Sequence, residues 1–101
     1  PVVIAGDFNA YSEEWGCSRR QRDPRGEVVI GWAAELYLLL VNRGSTGTCI
    51  RPGGGSSVID LTWASLSAAR IISEWRVEAE GEMLSDHRYI VWALRLPKPK
   101  Q

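Results

Sequence analysis

The ten residues PVVIAGDFNA, Pro1 to Ala10, run from an unbroken apolar stretch through a glycine into Asp7 and Asn9. Val2 to Ala5 is too short for a helix and is bounded by Gly6, which suits a β-strand buried on both faces. Asp7 and Asn9 stand two positions apart, so in extended backbone both side chains project to the same side. Two readings follow. A carboxylate beside a neutral carbonyl suits a hard divalent cation such as Mg²⁺, which keeps waters and shares a phosphate. The same residue types also cap turns and make Asx turns after a strand.

Outward from this strand, residues 11–26 turn polar and charged around Pro24 and read as a long loop. Mixed three- and four-residue apolar spacing predicts a helix from about Gly26 to Tyr37, running into a strand over Leu39–Asn42. Cys49–Arg51 reads as a short strand, and the run from Pro52 to Ser57 as a flexible tip. Val58 to Ala64 alternates, with Val58, Asp60 and Thr62 on one face and Ile59, Leu61 and Trp63 on the other. A short helix over Ser65–Arg70, capped by Ser65 or Ser67, precedes strands at Ile71–Ala79 and Arg88–Leu96. Pro97 and Pro99 end the pattern in a polar tail, residues 97–101. The fold class is therefore α/β: one mostly antiparallel mixed sheet with a covering helix.

A chain of 101 residues is one domain at most. Lys plus Arg and Asp plus Glu each total 12, so no global field announces a nucleic-acid or membrane partner. The hydrophobic fraction of 45% with five tryptophans excludes a disordered tail. Cys17 and Cys49, with no apolar leader or bilayer-spanning stretch, read as thiols of a reduced, intracellular protein, one disulfide being the other option. A first residue of Pro, inside a strand pattern, reads as a piece of a longer polypeptide or a trimmed form.

Two further polar groups stand out. Ser85-Asp86-His87 precedes the last strand, and His87 is the only histidine, a side chain able to be charged or neutral near neutrality. It is either a proton-handling group beside a carboxylate or part of a surface loop. Asp60, inside an apolar strand, is costly to bury unless paired. His87 is its natural partner, giving a couple of the kind that orients imidazoles; otherwise Asp60 faces solvent from an edge strand. Together these groups make a metal-assisted site for phosphate-ester hydrolysis. The metal would stabilise phosphoryl charge, Asp7 would position or deprotonate water, and His87 would hydrogen-bond a non-bridging oxygen.

Gly6-Asp7-Phe8-Asn9-Ala10, then Ser57-Val58-Ile59-Asp60-Leu61-Thr62, then Ser85-Asp86-His87-Arg88, in that order, resemble the C-terminal half of the endonuclease/exonuclease/phosphatase (DNase I-like) superfamily. Asn9-Ala10-Tyr11-Ser12 with Trp15-Gly16, and Ser85 to Ile90, resemble the apurinic-type endonuclease domain of non-LTR retrotransposons. The resemblance implies about half of a four-layer α/β sandwich over residues 1–96. It also implies a DNA endonuclease attached to a reverse transcriptase, nicking a chromosomal target in the nucleus. Catalytic roles fall to Asp7, Asn9, Asp60 and His87, and Mg²⁺ (or Mn²⁺) contacts to Asp7, Asn9, Asp86 and His87. The family's N-terminal half carries a further asparagine and a principal metal-binding glutamate, which no segment here matches, and Tyr11 stands where retrotransposon members often show a histidine. Little nicking is therefore expected of these residues alone.

For DNA, Arg19, Arg20, Arg22 and Arg25 form a basic loop able to meet phosphates, or a solvated one, and Arg88 adjoins His87. Trp15 and Trp63 are core aromatics or groove wedges. Two other functions fit the residues: a phosphomonoesterase or phosphodiesterase of the same superfamily, and a non-catalytic transposon remnant. The sheet face that the other half of the domain would cover could then pair with a second copy of the chain. No membrane partner is expected.

Overall fold

The computed structural model describes residues 1–80 and 85–96; the polar tail expected at 97–101 lies outside them. Asp60–Ala64 is the central strand. Val3–Asp7 (β1) pairs antiparallel along its whole length, Val3 opposite Ala64 and Asp7 opposite Asp60. Leu39–Leu40 (β2) pairs antiparallel on the other edge. Cys49–Ile50 (β3) and Ser56–Ser57 (β4) form a hairpin just before the central strand, which is therefore β5. Ile72–Val77 (β6) and Ile90–Leu94 (β7) form the third sheet, also antiparallel, with a bulge between Ser73 and Arg76. Among the described residues the fold is α/β with antiparallel strands, divided into three sheets.

Helix α1 covers one face of β5. It spans Pro24–Glu35 and begins two residues before the position that periodicity indicates. Asp23 is its N-cap, its carboxylate accepting from Gly26 N–H at 3.0 Å, and Pro24 fills the first helical position, where no amide is needed. Gly26 is required by packing: a Cβ there would stand 2.1 Å from the Tyr11 carbonyl oxygen.

Beneath α1, Leu61 and Trp63 of β5 pack with Ala10, Trp15, Cys17, Ala33 and Val58. The Trp63 ring meets Trp15 edge-on at 6.2 Å and Trp32 edge-on at 6.3 Å, a favoured aromatic geometry. Residues 11–23 are thus more than a loop. A 3₁₀ turn at Glu13–Trp15, capped by Ser12, buries Trp15, whose Nε1–H donates to Ala10 C=O at 3.2 Å. Trp15 and Trp63 are core residues.

The opposite face of β5 carries the β6–β7 hairpin and the short helix α2, Leu66–Ala69. Ala64, Val41, Ala68, Ile72 and Trp75 form this second core, and Trp75 Nε1–H donates to Thr62 Oγ1 at 3.1 Å. Ser65 caps α2 without a side-chain hydrogen bond to it; its hydroxyl accepts from Val2 N–H instead.

Burial of β1 on both faces is not found. Val2 and Val3 are 50% and 39% exposed, and within β1 only Ile4 is half-buried. The physical reason is its place at a sheet edge: α1 reaches the Phe8 side, while a groove separates Ala5 and Gly6 from Tyr89, Ile90 and Trp92. Ser56–Ser57, expected within a flexible tip, pairs as β4; the turn is confined to the residues around Gly53 and Gly54, both at φ near +100°. Cys17 and Cys49 are free, buried thiols. Among the described residues no helix is long and apolar enough to cross a membrane.

Candidate active site

Register places the two key carboxylates. Asp7 ends β1 directly opposite Asp60 at the start of β5, and like charges facing each other across an antiparallel pair repel. His87 offsets this. Its Nδ1 lies 2.8 Å from Asp60 Oδ2, and its Nε2 lies 3.8 Å from Asp7 Oδ2. With a carboxylate at Nδ1, that nitrogen carries the hydrogen and donates it, and Nε2 is left toward Asp7.

The three side chains differ in access. Asp60 is 14% exposed, His87 38% and Asp7 47%. The hydrogen bond to Asp60 raises the His87 pKa above its usual value; partial burial opposes this, and the charges of Asp60, Asp7 and Asp86 add to the rise. The imidazole is thereby biased toward its charged form near neutrality.

His87 is carried by backbone pairing. It bridges Cys49 in β3, while Ile50 N–H donates to Asp86 C=O at 2.7 Å and Arg88 N–H donates to Thr48 C=O at 2.8 Å. His87 is thus held against the β3–β4 hairpin through a single antiparallel bridge and the hydrogen bonds on either side of it. Ligand-type atoms of Asp7, Asp60 and His87 all lie within 4.8 Å of one another.

Other residues singled out in the sequence stand apart. Asp86 is exposed, outside the close cluster, on a groove lined also by Ile50, Arg51 and Arg88, near enough for its charge to act on His87. Asn9 sits at φ 44°, and its backbone N–H donates to Asp7 Oδ1 at 2.8 Å. This is an Asx turn made by Asp7 rather than by Asn9, and it fixes the Asp7 carboxylate while the Asn9 residue stays exposed.

Arg19, Arg20 and Arg22 are exposed on the segment between β1 and α1. The Arg19–Glu13 pair at 4.0 Å is well exposed to water and weak. Arg25 pairs with Asp23 at 3.1 Å. The segment is pinned to β4 by Gln21 Nε2–H donating to Ser56 C=O at 3.1 Å. Arg88 is half-buried and donates to Gly47 C=O at 2.9 Å, so part of its donor capacity is structural.

Sequence reasoning missed Asn42, Thr48 and Arg51. Asn42 had a signal, since it ends the apolar run Leu38–Val41 as Asp7 ends the first. Thr48, wholly buried, had none. Arg51 donates to the Tyr11 hydroxyl at 2.8 Å, so Tyr11 is held against the hairpin.

A family model described as endonuclease-reverse transcriptase matches residues 1–91. Among solved structures, the endonuclease domain of TRAS1, a telomere-specific non-LTR retrotransposon, is 36% identical, with a TM-score of 0.81 over 95% of this chain. The chain spans 44% of the length of that structure. No curated protein matches the chain.

Proposed function

The chain belongs to the endonuclease-reverse transcriptase family, with a DNase I-like fold, and from that premise we propose that Asp7, Asp60 and His87 form one side of a metal-dependent DNA-nicking site. The observation that carries this reading is the chain of side chains Asp60–His87–Asp7, a part-buried carboxylate behind an imidazole and an exposed carboxylate in front.

Asp60 holds Nδ1–H and so fixes the ring and its tautomer. Protonated His87 then presents Nε2–H to a non-bridging phosphoryl oxygen, where negative charge grows in the transition state. Asp7, with Oδ2 accessible, positions a water or takes its proton. The donor set fits a hard cation on one side only: the exposed Asp7 carboxylate can share Mg²⁺ or Mn²⁺ with waters and a phosphate, whereas the Asp60 oxygen is taken by the imidazole. Bound there, such a cation would neutralise phosphoryl charge. In this proposal Asn9 and Asp86 are the further residues assigned to the cation, Asp86 from outside the close cluster, whereas the doubly protonated His87 ring has no lone pair left to ligate it.

Because the chain matches under half of its structural relative, the remaining site groups come, in this proposal, from the rest of the endonuclease domain. The substrate is double-stranded DNA. The product's 3′-hydroxyl would serve a linked reverse transcriptase; a chromosomal target is what supports the nucleus as the compartment in this proposal.

Supercoiled plasmid tests this. A complete endonuclease domain containing these residues should nick it with Mg²⁺, and chelation should abolish the nicking. His87→Ala should lower the rate by about 10²–10⁴-fold, the range for removal of a proton-handling group. Full activity in that variant would overturn the reading. Robust nicking by the 101-residue chain alone would overturn the division of the site between two halves.

A further inference from the structure

The hydrogen bonding that holds Asp60 is unusual for a strand. β2 pairs with β5 through Leu39 and Leu40, and Val41 N–H extends the ladder to Thr62 C=O at 2.8 Å. The backbone then leaves for the turn around Gly44. From there the ladder is continued by side chains. Asn42 Oδ1 accepts from Thr62 N–H at 2.7 Å, and Asn42 Nδ2 donates to Asp60 C=O at 3.1 Å. Thr48 Oγ1 accepts from Asp60 N–H at 3.1 Å and from Ile59 N–H at 3.0 Å. Both main-chain groups of Asp60 are therefore held by side chains.

Thr48 also reaches the other partner. Its N–H donates to Ser57 C=O at 2.9 Å, its C=O accepts from Arg88 N–H at 2.8 Å, and the next residue, Cys49, bridges His87. One wholly buried residue thus touches the strand that bears the carboxylate and the segment that bears the imidazole.

We propose that Asn42 and Thr48 are positioning residues that set Asp60 against His87, acting as a side-chain splice where β2 ends. Removing the Thr48 hydroxyl would strand the buried amide of Ile59 and the part-buried amide of Asp60, which must move to find new partners. A shift of well under 1 Å at Asp60 is enough to weaken a 2.8 Å bond to His87. Only its meaning for catalysis rests on the nuclease reading; the placement itself does not.

The test is nuclear magnetic resonance of the His87 ring in the ¹⁵N-labelled chain, read through its Nδ1–H. A downfield, slowly exchanging Nδ1 proton is expected in the parent chain and in Thr48→Ser, which keeps a hydroxyl. It should vanish in Thr48→Val and in Asn42→Ala. Ser12→Ala, which deletes a cap hydrogen bond to Glu14 on the α1 side, serves as the control: it should lower the melting temperature and leave the signal in place. Retention of the signal in both Thr48→Val and Asn42→Ala would overturn the proposal, as would its disappearance in Ser12→Ala. Should Thr48→Val not fold, Asn42→Ala decides by the same rule. Because the readout is a hydrogen bond and not turnover, a failed nicking assay leaves this result standing, and the reverse holds too.

Discussion

Leu61 and Trp63, on one face of β5, meet a closed aromatic core under α1, whereas Thr62 and Ala64, on the other, meet a hairpin whose strand β7 is itself only half-buried. Leu94 is 52% exposed at the end of β7, and Val3 is 39% exposed on β1. Asp60 shares the looser face with Thr62, and His87 enters just ahead of β7. The contrast teaches a division of labour: the tight side fixes β5, and the open side leaves room for ionised groups that a dry core would not tolerate.

Truncating one tryptophan on each side tests the difference in packing most severely. Trp63→Ala should cost about 3–5 kcal/mol, comparable with the whole stability of a small domain. Trp92→Ala on the hairpin side should cost less than half as much, since that ring is only partly buried. Urea midpoints measure both; equal costs would mean that the two sides are packed alike.

A smaller effect is expected where the two sides are joined. Trp75→Phe keeps an aromatic ring but removes the donor to Thr62, and should cost about 1 kcal/mol in the same titration. A change within error would show that the hairpin docks through apolar packing alone.

Proton linkage reports on the open side alone. The folded-state pKa of His87 is raised, so folding binds a proton there more tightly than the unfolded chain does. The resulting stabilisation is complete below the unfolded value of about 6.5 and is lost as pH rises through the higher folded value. Unfolding midpoints should therefore fall across that window, and Asp60→Asn should flatten the fall. An unchanged slope in Asp60→Asn would remove Asp60 as its cause.

The smallest effect belongs to the exposed arginines. Replacing Arg19, Arg20 and Arg22 with alanine should leave stability within about 0.5 kcal/mol. In a complete domain it should make DNA binding less sensitive to salt, by about one slope unit for each phosphate that these side chains neutralise.

How much of this was legible in the sequence depended on whether a residue had a reason to be where it stood. Asp7, Asp60 and His87 interrupt or terminate apolar runs, and their polarity there asks for a partner; the 2.8 Å Asp60–His87 hydrogen bond lies where that argument pointed. The α/β class with antiparallel pairing was readable from the strand lengths and turns. The start of α1 was written in Asp23-Pro24, a cap followed by a first-turn proline, but periodicity alone moved it to Gly26. Exposure of β1 was not legible, because an apolar run states what a strand tolerates and not what covers it. Nor was Thr48, whose importance is to backbone amides brought near by register. Asp86 and Asn9 carried the right chemistry, yet one lies outside the close cluster and the other engages Asp7 through its backbone.

The backbone of Asn9 has a practical consequence for mutagenesis. At φ 44° a side chain other than asparagine or aspartate is strained, while glycine is at ease. Alanine there would delete the carboxamide and also disturb the amide that aims Asp7, confounding two roles in one number. Glycine deletes only the first, so the difference between the Asn9→Gly and Asn9→Ala variants separates what the side chain does for a substrate from what the turn does for its neighbour.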